Sequence, residues 1–563
     1  MKSLKVTLVL LVVALFVLAA CTVPAPAPTE PVAAEPPAEE AAPVEEKAPA
    51  EEAAPEEEPG RELVYAERAV INQLDSIDPR GYPSSYETVY LLYDQLVRFD
   101  SNLQIQPELA ESWEVSDDGL TWTLNLRDAI TFHDGTPFNA EAVKYHVDRL
   151  QSEDWASPNR SLWDHITSVE VVDDYTVALS TDEPFGPMLF YMAHGSGGIA
   201  SPAAVEEWGK DFVEHPVGTG PYKLESFTPG VEVVLVRNEG YWGDRPALDK
   251  ITIKQVPEAG ARVAMLETGE ADIIAEVPPE DFERLKADPD MDVIQQTGLR
   301  TFFFAYNFDT PALQEVKVRQ ALNHAVDRDT LVETIFLGLA EPLNSATSSA
   351  MPGHVAVGGY EYDPEKAKAL LAEAGWTDTD GDGIVDKDGE ALKLTILFSD
   401  AYPKEQEVVE AVQLYLKDVG VDLELWQTDA ASVRSYQKVA RNEAEYDLVN
   451  WGFNASNGDI TYHLESMWVS NPDDAAPPYR WNLGWYSNPE LDELLADTKL
   501  GAAAVDSEHR AELLAQAQET IWNEAPHLWL YAPDLLAGYR TDVEGLVVLP
   551  TIFYNLRDVR FAE

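Results

Sequence analysis

The segment from residue 215 to residue 274 constrains the fold more than any other part of this chain. It contains two runs with strand character, residues 231–236 and 251–256, in which β-branched residues are frequent. A helical run follows at 261–268, and Gly269 ends it because glycine readily adopts the positive φ that closes many helices. Strands and a helix alternating within one short segment predict an α/β fold.

The same alternation continues in the second half of the chain. Residues 301–308, 392–398, 421–425 and 446–451 are apolar enough for buried strands, and helical patterns separate them. About 500 residues follow the N-terminal 60, which is too many for a single hydrophobic core. The sequence therefore predicts two or three compact units.

A hairpin signature lies between two alternating runs, 109–115 and 120–126. The Ser-Asp-Asp-Gly sequence at 116–119 joins them and is typical of a hairpin turn. Asn139 can cap the helix that follows, because its side chain can accept a hydrogen bond from the first helical turn.

Before the hairpin, residues 86–97 carry apolar side chains at helical spacing, which predicts a helix there.

This order of elements resembles the extracellular solute-binding proteins of ABC importers, and within them the peptide/nickel-binding family. The resemblance extends from about Glu62 to Arg560 and is strongest around the hairpin. It implies an α/β, two-lobed fold of the type II periplasmic-binding-protein class, with an extra inserted domain in lobe one. It also implies a monomer that captures a small solute between its lobes and delivers it to the transmembrane subunits of an ABC permease.

The N-terminus resembles a bacterial lipoprotein signal. Lys2 and Lys5 precede an apolar run at 6–18, which ends in Leu-Ala-Ala and Cys21, the only cysteine of the chain. In a lipobox the signal is cut before the cysteine, whose thiol is acylated; the alternative is a stray thiol in an ordinary signal peptide. Residues 22–60 are nearly all Pro, Ala and Glu without an aromatic residue, so they cannot form a core.

These features predict both the organisation of the chain and its location. The predicted order is a lipoprotein signal peptide (1–20), a disordered tether (21–60), lobe one (61–295, with an inserted subdomain at about 106–214), lobe two (296–525) and a return to lobe one (526–563). The crossings near 294–299 and 526–531 would form the hinge. The protein is expected outside the cytoplasm, anchored to the cell membrane by its lipid.

The charge and the motif content exclude several classes of function. The chain has 39 basic and 100 acidic residues, so its net charge of −61 would repel nucleic acid and anionic lipid. Its ten histidines are scattered, and no Gly-x-Ser-x-Gly motif is present. We therefore predict a binding protein rather than an enzyme, with a surface-anchored hydrolase or adhesin as the alternative.

The candidate ligand-binding strip is the sequence at 451–459, which follows a predicted strand and combines aromatic, glycine and polar residues. Glu67 is added because it ends the first predicted strand, where open α/β sheets place ligands. The predicted ligand-binding residues are Glu67, Trp451, Phe453, Asn454, Ser456 and Asp459.

The resemblance also bears on the ligand. In the peptide binders of the family, an aspartate pairs with the α-ammonium of the peptide, and Ser456 occupies the matching position here. Either another acid, such as Asp459 or Glu67, replaces that aspartate, or the ligand carries no ammonium. Some family members bind oligosaccharides, so a neutral sugar stacked on Trp451 or Phe453 is favoured narrowly over a peptide.

An acidic loop at 378–389 matches part of a calcium-binding pattern. Asp378, Asp380, Asp382 and Asp386 occupy loop positions 1, 3, 5 and 9, with a glycine at position 6. Position 12 is a glycine instead of the bidentate glutamate that calcium loops carry there. The loop is therefore either a calcium site that stiffens the surface or a plain Asp/Gly-rich turn, and no cofactor other than calcium is predicted.

Overall fold

The structure, a computed structural model, describes most of the chain after the N-terminal 60 residues. The described residues are 61–68, 70–77, 85–399, 402–436, 439, 441–471, 481–500 and 507–562. Cys21, the predicted signal peptide and the predicted tether lie outside them. None of the described helices combines the length and the apolar character that crossing a membrane requires.

The regular elements of the first half build most of lobe one and its insertion. They are β1 (Glu62–Glu67), α1 (Ser85–Leu92), β2 (Val97–Phe99), β3 (Ile105–Pro107), β4 (Ala110–Val115), β5 (Thr121–Leu126), α2 (Ala140–Gln151), β6 (Ile166–Asp173), β7 (Thr176–Thr181), α3 (Met188–Met192), α4 (Pro202–Trp208), β8 (Tyr222–Thr228), β9 (Glu232–Arg237), β10 (Lys250–Gln255), α5 (Ala259–Thr268), β11 (Ile273–Ile274), α6 (Pro279–Lys286) and β12 (Met291–Thr297).

The second half builds lobe two and then returns to lobe one. Its elements are β13 (Thr301–Tyr306), α7 (Pro311–Gln314), α8 (Val316–Ala325), α9 (Arg328–Ile335), β14 (Ala340–Pro342), α10 (Pro364–Glu373), β15 (Asp386–Lys387), β16 (Glu390–Ala391), β17 (Lys393–Phe398), α11 (Glu405–Asp418), β18 (Asp422–Gln427), α12 (Ala430–Tyr436), β19 (Leu448–Phe453), α13 (Ile460–Trp468), α14 (Pro489–Lys499), α15 (Ser507–Glu524), β20 (His527–Arg540), β21 (Val543–Glu544), β22 (Val547–Val548), β23 (Tyr554–Asn555) and β24 (Arg560–Phe561).

One mixed sheet runs through both lobes. Among the described residues it has twelve strands, in the order β18-β17-β19-β13-β20-β11-β1-β10-β9-β8, with β12 and β14 also paired to β20. Strand β20 belongs to both lobes, because its first half pairs with β13 and its second half with β11 and β12. The crossings predicted near 294–299 and 526–531 fall at the β12–β13 junction and at the start of β20.

The centre of lobe two is strand β13, which is buried along its whole length. Its side chains alternate between two cores, as the period of a strand requires. Phe303 packs in one hydrophobic cluster, whereas Phe302 and Phe304 pack in the cluster on the opposite face. This arrangement explains why the strand is an uninterrupted apolar run instead of an alternating one.

The predicted insertion contains a sheet of its own, with the strand order β4-β5-β7-β6. The predicted hairpin turn joins β4 to β5, and Gly119 has the positive φ of +72° that such turns favour. Asn139 caps α2, because its side chain accepts a hydrogen bond from the backbone N–H of Ala142 at 3.2 Å. The helix predicted at 86–97 is shorter than expected, since α1 ends at Leu92.

Candidate ligand-binding site

The predicted strip at 451–459 begins within β19 and continues into the loop before α13. Strand β19 is parallel to β17, and β17 is parallel to β18, so their carboxyl ends share one edge of the sheet. That edge is where open α/β sheets bind their ligands. Gly452 is required in β19, because a Cβ there would lie 2.6 Å from Phe302 Cε1.

The two aromatic residues of the strip have different surroundings. Trp451 is half-buried and stacks on Trp481, with ring centroids 5.5 Å apart and planes at 21°. Trp481 is itself 40% exposed, so this pair could offer a flat apolar surface to a ligand. Phe453 is buried against His463, with a centroid distance of 5.1 Å, and therefore belongs to the core.

Two polar residues of the strip contact lobe one. Asn454 Nδ2 donates to the backbone oxygen of Thr551 at 3.4 Å. Ser456 Oγ lies 3.2 Å from His194 Nε2, which is also 3.0 Å from Tyr86 Oη. The described conformation therefore has lobe-to-lobe hydrogen bonds at the strip, as a closed cleft would.

The hydrogen bonds of His194 determine which of its nitrogens carries the proton. Burial lowers the pKa of His194 to about 3, so the ring is neutral near pH 7. The backbone N–H of Ser196 donates to Nδ1 at 3.2 Å, which leaves the ring proton on Nε2. The single proton of His194 Nε2 can therefore be donated to Tyr86 Oη or to Ser456 Oγ.

Asp459 was predicted to line the cleft, but its contacts lie inside lobe two. Its Oδ1 accepts from the backbone N–H of Tyr462 at 2.8 Å and caps α13. Its Oδ2 forms an ion pair with Arg510 Nη2 at 2.7 Å, and the side chain is only 1% exposed. Both oxygens thus support the fold, because the N-terminus of α13 and the partly buried Arg510 guanidinium already occupy them.

Glu67 lies in lobe one, at the carboxyl end of β1. The side chain is buried, and Tyr65 Oη donates a short hydrogen bond to it.

The sequence placed Glu67 at the carboxyl edge of the sheet but did not reveal His194, Tyr86 and Thr551. These three residues lie in loops and at a helix start, and no local pattern marks them.

The acidic loop gathers three of its four predicted aspartates. Carboxylate oxygens of Asp378, Asp380 and Asp382 lie within 4.8 Å of one another, and all three residues are exposed. Asp386 is not part of this group, because its carboxylate accepts from the backbone N–H and hydroxyl of Thr379, at 2.8 and 2.7 Å. The three remaining carboxylates are oxygen ligands of the kind that calcium prefers.

Comparison with known proteins identifies the family. The pattern described as "Bacterial extracellular solute-binding proteins, family 5 Middle" matches residues 104–475. The glutathione-binding protein GsiB of Salmonella typhimurium strain LT2 is 30% identical over 500 residues, which cover 88% of this chain and 94% of that protein.

Solved structures agree with this match. The oligopeptide-binding protein AppA from Bacillus subtilis, in complex with a nonapeptide, has a TM-score of 0.73 at 25% identity, covering 90% of this chain and 100% of AppA. NikA from Brucella suis, in complex with Fe(III)-EDTA, has a TM-score of 0.77 at 27% identity, covering 86% of this chain and 96% of NikA. The two-lobed, type II fold is thereby confirmed, and the chain belongs to the family 5 extracellular solute-binding proteins, the substrate-binding components of ABC importers.

Proposed function

We propose that this chain is the lipid-anchored receptor of an ABC importer and that it binds a short peptide between its lobes. The observation that carries the proposal is the pair of hydrogen bonds, Ser456 to His194 and Asn454 to Thr551, that joins the lobes at the strip. A ligand that contacts both lobes would favour the closed form over the open one. The closed form would then deliver the solute to the permease.

The chemistry of the strip supports a peptide. Asn457 Nδ2 is buried and has no hydrogen-bond partner among the described residues, so it can donate to a ligand carbonyl. The Ser456 hydroxyl is a second group of the strip that could form a hydrogen bond with such a carbonyl. Peptide carbonyls are suitable acceptors for both groups. The similarity to a glutathione-binding protein and to a protein solved with a nonapeptide supports the same class.

A neutral oligosaccharide is the second candidate, and one observation favours it. The Trp451–Trp481 pair presents stacked rings of which one is well exposed, and sugar rings pack well on such surfaces. Ser456, Asn454 and Asn457 would serve sugar hydroxyls as well as peptide carbonyls.

The anchor and the tether complete the proposal. Acylation of Cys21 would attach the receptor to the outer face of the cell membrane, and residues 22–60 would let the lobes reach the permease. One copy suffices for this task, so we propose a monomer. The strongly acidic composition would keep that copy soluble above the membrane.

Native mass spectrometry and calorimetry test the proposed ligand. The mature chain should retain a peptide when purified, or bind peptides from a library of tri- to nonapeptides without cleaving them. Binding of maltooligosaccharides without any peptide binding would support the second candidate instead. Cleavage of the added peptides would point to the hydrolase alternative and contradict the receptor function.

A further inference from the structure

Lobe one and lobe two touch each other beside the strip, in contacts that consist of protein groups only. Two segments of lobe one take part, the β2–β3 hairpin and the segment that contains α3. Two segments of lobe two contact them, the end of the strip with α13 and the last residue of α14. We call these four segments, residues 97–107, 184–192, 456–468 and 499, the latch.

A backbone hydrogen bond joins the lobes at one end of the latch. The N–H of Gly186 donates to the carbonyl oxygen of Lys499 at 3.0 Å. Lys499 is the last residue of α14, and the carbonyl oxygens of a last helical turn have no partner within their own helix. Pro184 and Pro187 flank Phe185 and Gly186, and their fixed φ angles leave this segment little conformational freedom to lose on docking.

Apolar groups form the rest of the latch. Gly458 has a left-handed φ of +68°, and a Cβ built on it would lie 3.5 Å from Phe99 Cζ and 3.7 Å from Leu103 Cδ1. The backbone of the strip therefore packs directly against the β2–β3 hairpin. The rings of Tyr191 and Tyr462 also meet across the lobes, edge to face, with centroids 6.2 Å apart and planes at 82°. Aromatic pairs in this orientation attract each other beyond the effect of their burial.

The latch is continuous with the cores of both lobes. One hydrophobic cluster contains Phe99, Leu103 and Tyr191 of lobe one together with Phe453 and Leu464 of lobe two. Opening the cleft would return part of this apolar surface to water, which costs free energy in proportion to the area exposed. The latch therefore favours closure through contacts between protein groups, whichever ligand the cleft binds.

An ion pair between the lobes is weak by comparison. Lys404 Nζ of lobe two lies 3.7 Å from a carboxylate oxygen of Glu280 in lobe one, but the two side chains are 28% and 59% exposed. Solvent weakens a pair with that exposure, so it contributes little to closure. Closure through the latch should therefore change little with the salt concentration.

We propose that the latch keeps the ligand-free protein predominantly closed. A ligand then enters during openings of the cleft, and its affinity depends on the closed population that the latch provides. This inference goes beyond the proposed receptor function and does not depend on whether the ligand is a peptide or a sugar.

Hydrogen exchange at Gly186 reports the latch directly. The mature chain is unfolded in guanidinium chloride, dialysed to remove bound ligand, and refolded before deuterium is added. Within residues 184–187 only Phe185 and Gly186 have a backbone N–H, because proline lacks one, so mass spectrometry of a fragment that covers them isolates the signal. The N–H of Ile199, which donates to the carbonyl oxygen of Asp94 within lobe one at 3.0 Å, is the internal control.

Two variants weaken the latch in different ways. Gly458→Asn keeps the left-handed φ, which asparagine tolerates, and inserts a side chain where Phe99 and Leu103 already pack. Tyr462→Ala removes one ring of the edge-to-face pair. Gly338→Asn is the matched control, because Gly338 has a φ of +81° and a Cβ built on it has nothing within 4 Å. Circular dichroism verifies that each variant is folded.

In the wild type and in Gly338→Asn, exchange at Gly186 should be at least about tenfold slower than in an unstructured peptide, as a closed population of about 90% requires. Gly458→Asn should bring the rate to within about threefold of the unstructured peptide, and Tyr462→Ala to an intermediate value, while Ile199 stays protected in all four proteins. Small-angle scattering should show a larger radius of gyration for Gly458→Asn than for Gly338→Asn. An unprotected Gly186 beside a protected Ile199 in the wild type, or equal protection of Gly186 in the wild type and both latch variants, would overturn the proposal.

Discussion

Replacing Asp459 by Asn should destabilise the protein without weakening ligand binding. The substitution keeps the cap of α13, because asparagine caps helices about as well as aspartate. It removes the ion pair with Arg510, whose side chain is 20% exposed while that of Asp459 is 1% exposed. Breaking a fully buried pair costs about 3–5 kcal/mol, and the partial exposure of Arg510 lowers the expected loss to about 2 kcal/mol.

Asp363→Asn is the matched control. Asp363 caps α10 by accepting from the backbone N–H of Lys366 at 2.9 Å, and it is exposed. Its replacement should change the free energy of unfolding by less than about 0.5 kcal/mol. The difference between the free energies of unfolding of the two variants therefore measures the contribution of the Asp459–Arg510 ion pair.

Urea denaturation gives the free energy of unfolding, and calorimetry gives the affinity for a peptide that the wild type binds. We expect the Asp459→Asn variant to lose stability and to keep its affinity within about threefold. The reasoning fails if this variant is as stable as the Asp363→Asn control. It also fails if affinity falls more than tenfold while stability is unchanged, since Asp459 would then contact the ligand, as the sequence alone predicted.

Three further predictions concern acid stability, the anchor and the acidic loop. Burial lowers the pKa of His463 to about 3, which is below the pKa of a histidine in the unfolded chain. The neutral His463 side chain therefore contributes its full stability above about pH 6.5, and this contribution is lost as the pH falls. From about pH 7 to about pH 5 the wild type should therefore lose about 2 kcal/mol more than His463→Phe in urea titrations, and parallel curves would contradict this. Cys21→Ala should abolish incorporation of a fatty-acid analogue in cells, whereas equal labelling of variant and wild type would exclude acylation at Cys21. Calcium should raise the melting temperature of the wild type but not of Asp380→Ala, and wild-type melts that are identical in calcium and in chelator would identify the loop as a plain turn.

Local sequence patterns predicted the regular elements well where the cause is local. The turn at Gly119, the cap at Asn139 and the helix end at Gly269 each depend on the conformational or hydrogen-bonding preference of one residue. The helix predicted to continue to residue 97 ends early for a tertiary reason. Asp94 accepts from Thr219 Oγ1 at 2.9 Å and from Trp242 Nε1 at 2.7 Å, contacts that helical periodicity cannot reveal.

The candidate site was predicted mainly on its lobe-two side, where five of the six predicted residues lie. The strip of lobe two could be found because it follows a strand and has a distinctive composition. Its partners could not, since His194 is 262 residues away from Ser456 in the sequence, and Thr551 is 97 residues away from Asn454. One sequence does not specify which distant loops meet. For the same reason the sequence did not reveal that Arg510 pairs with Asp459, so Asp459 was predicted to be available to a ligand.

Strand β20 and the segment after it have a consequence for the order in which the chain folds. Lobe one needs this segment, because β20 pairs with β11 and β12, and Arg557 forms ion pairs with Asp94 and Glu108. Those partners are 463 and 449 residues apart from Arg557 in the chain, so they meet only after the last residues have been synthesised and exported. Contacts of such long range form slowly. We therefore expect lobe one, although its first strands are synthesised early, to complete its fold only after residues 527–562 have become available.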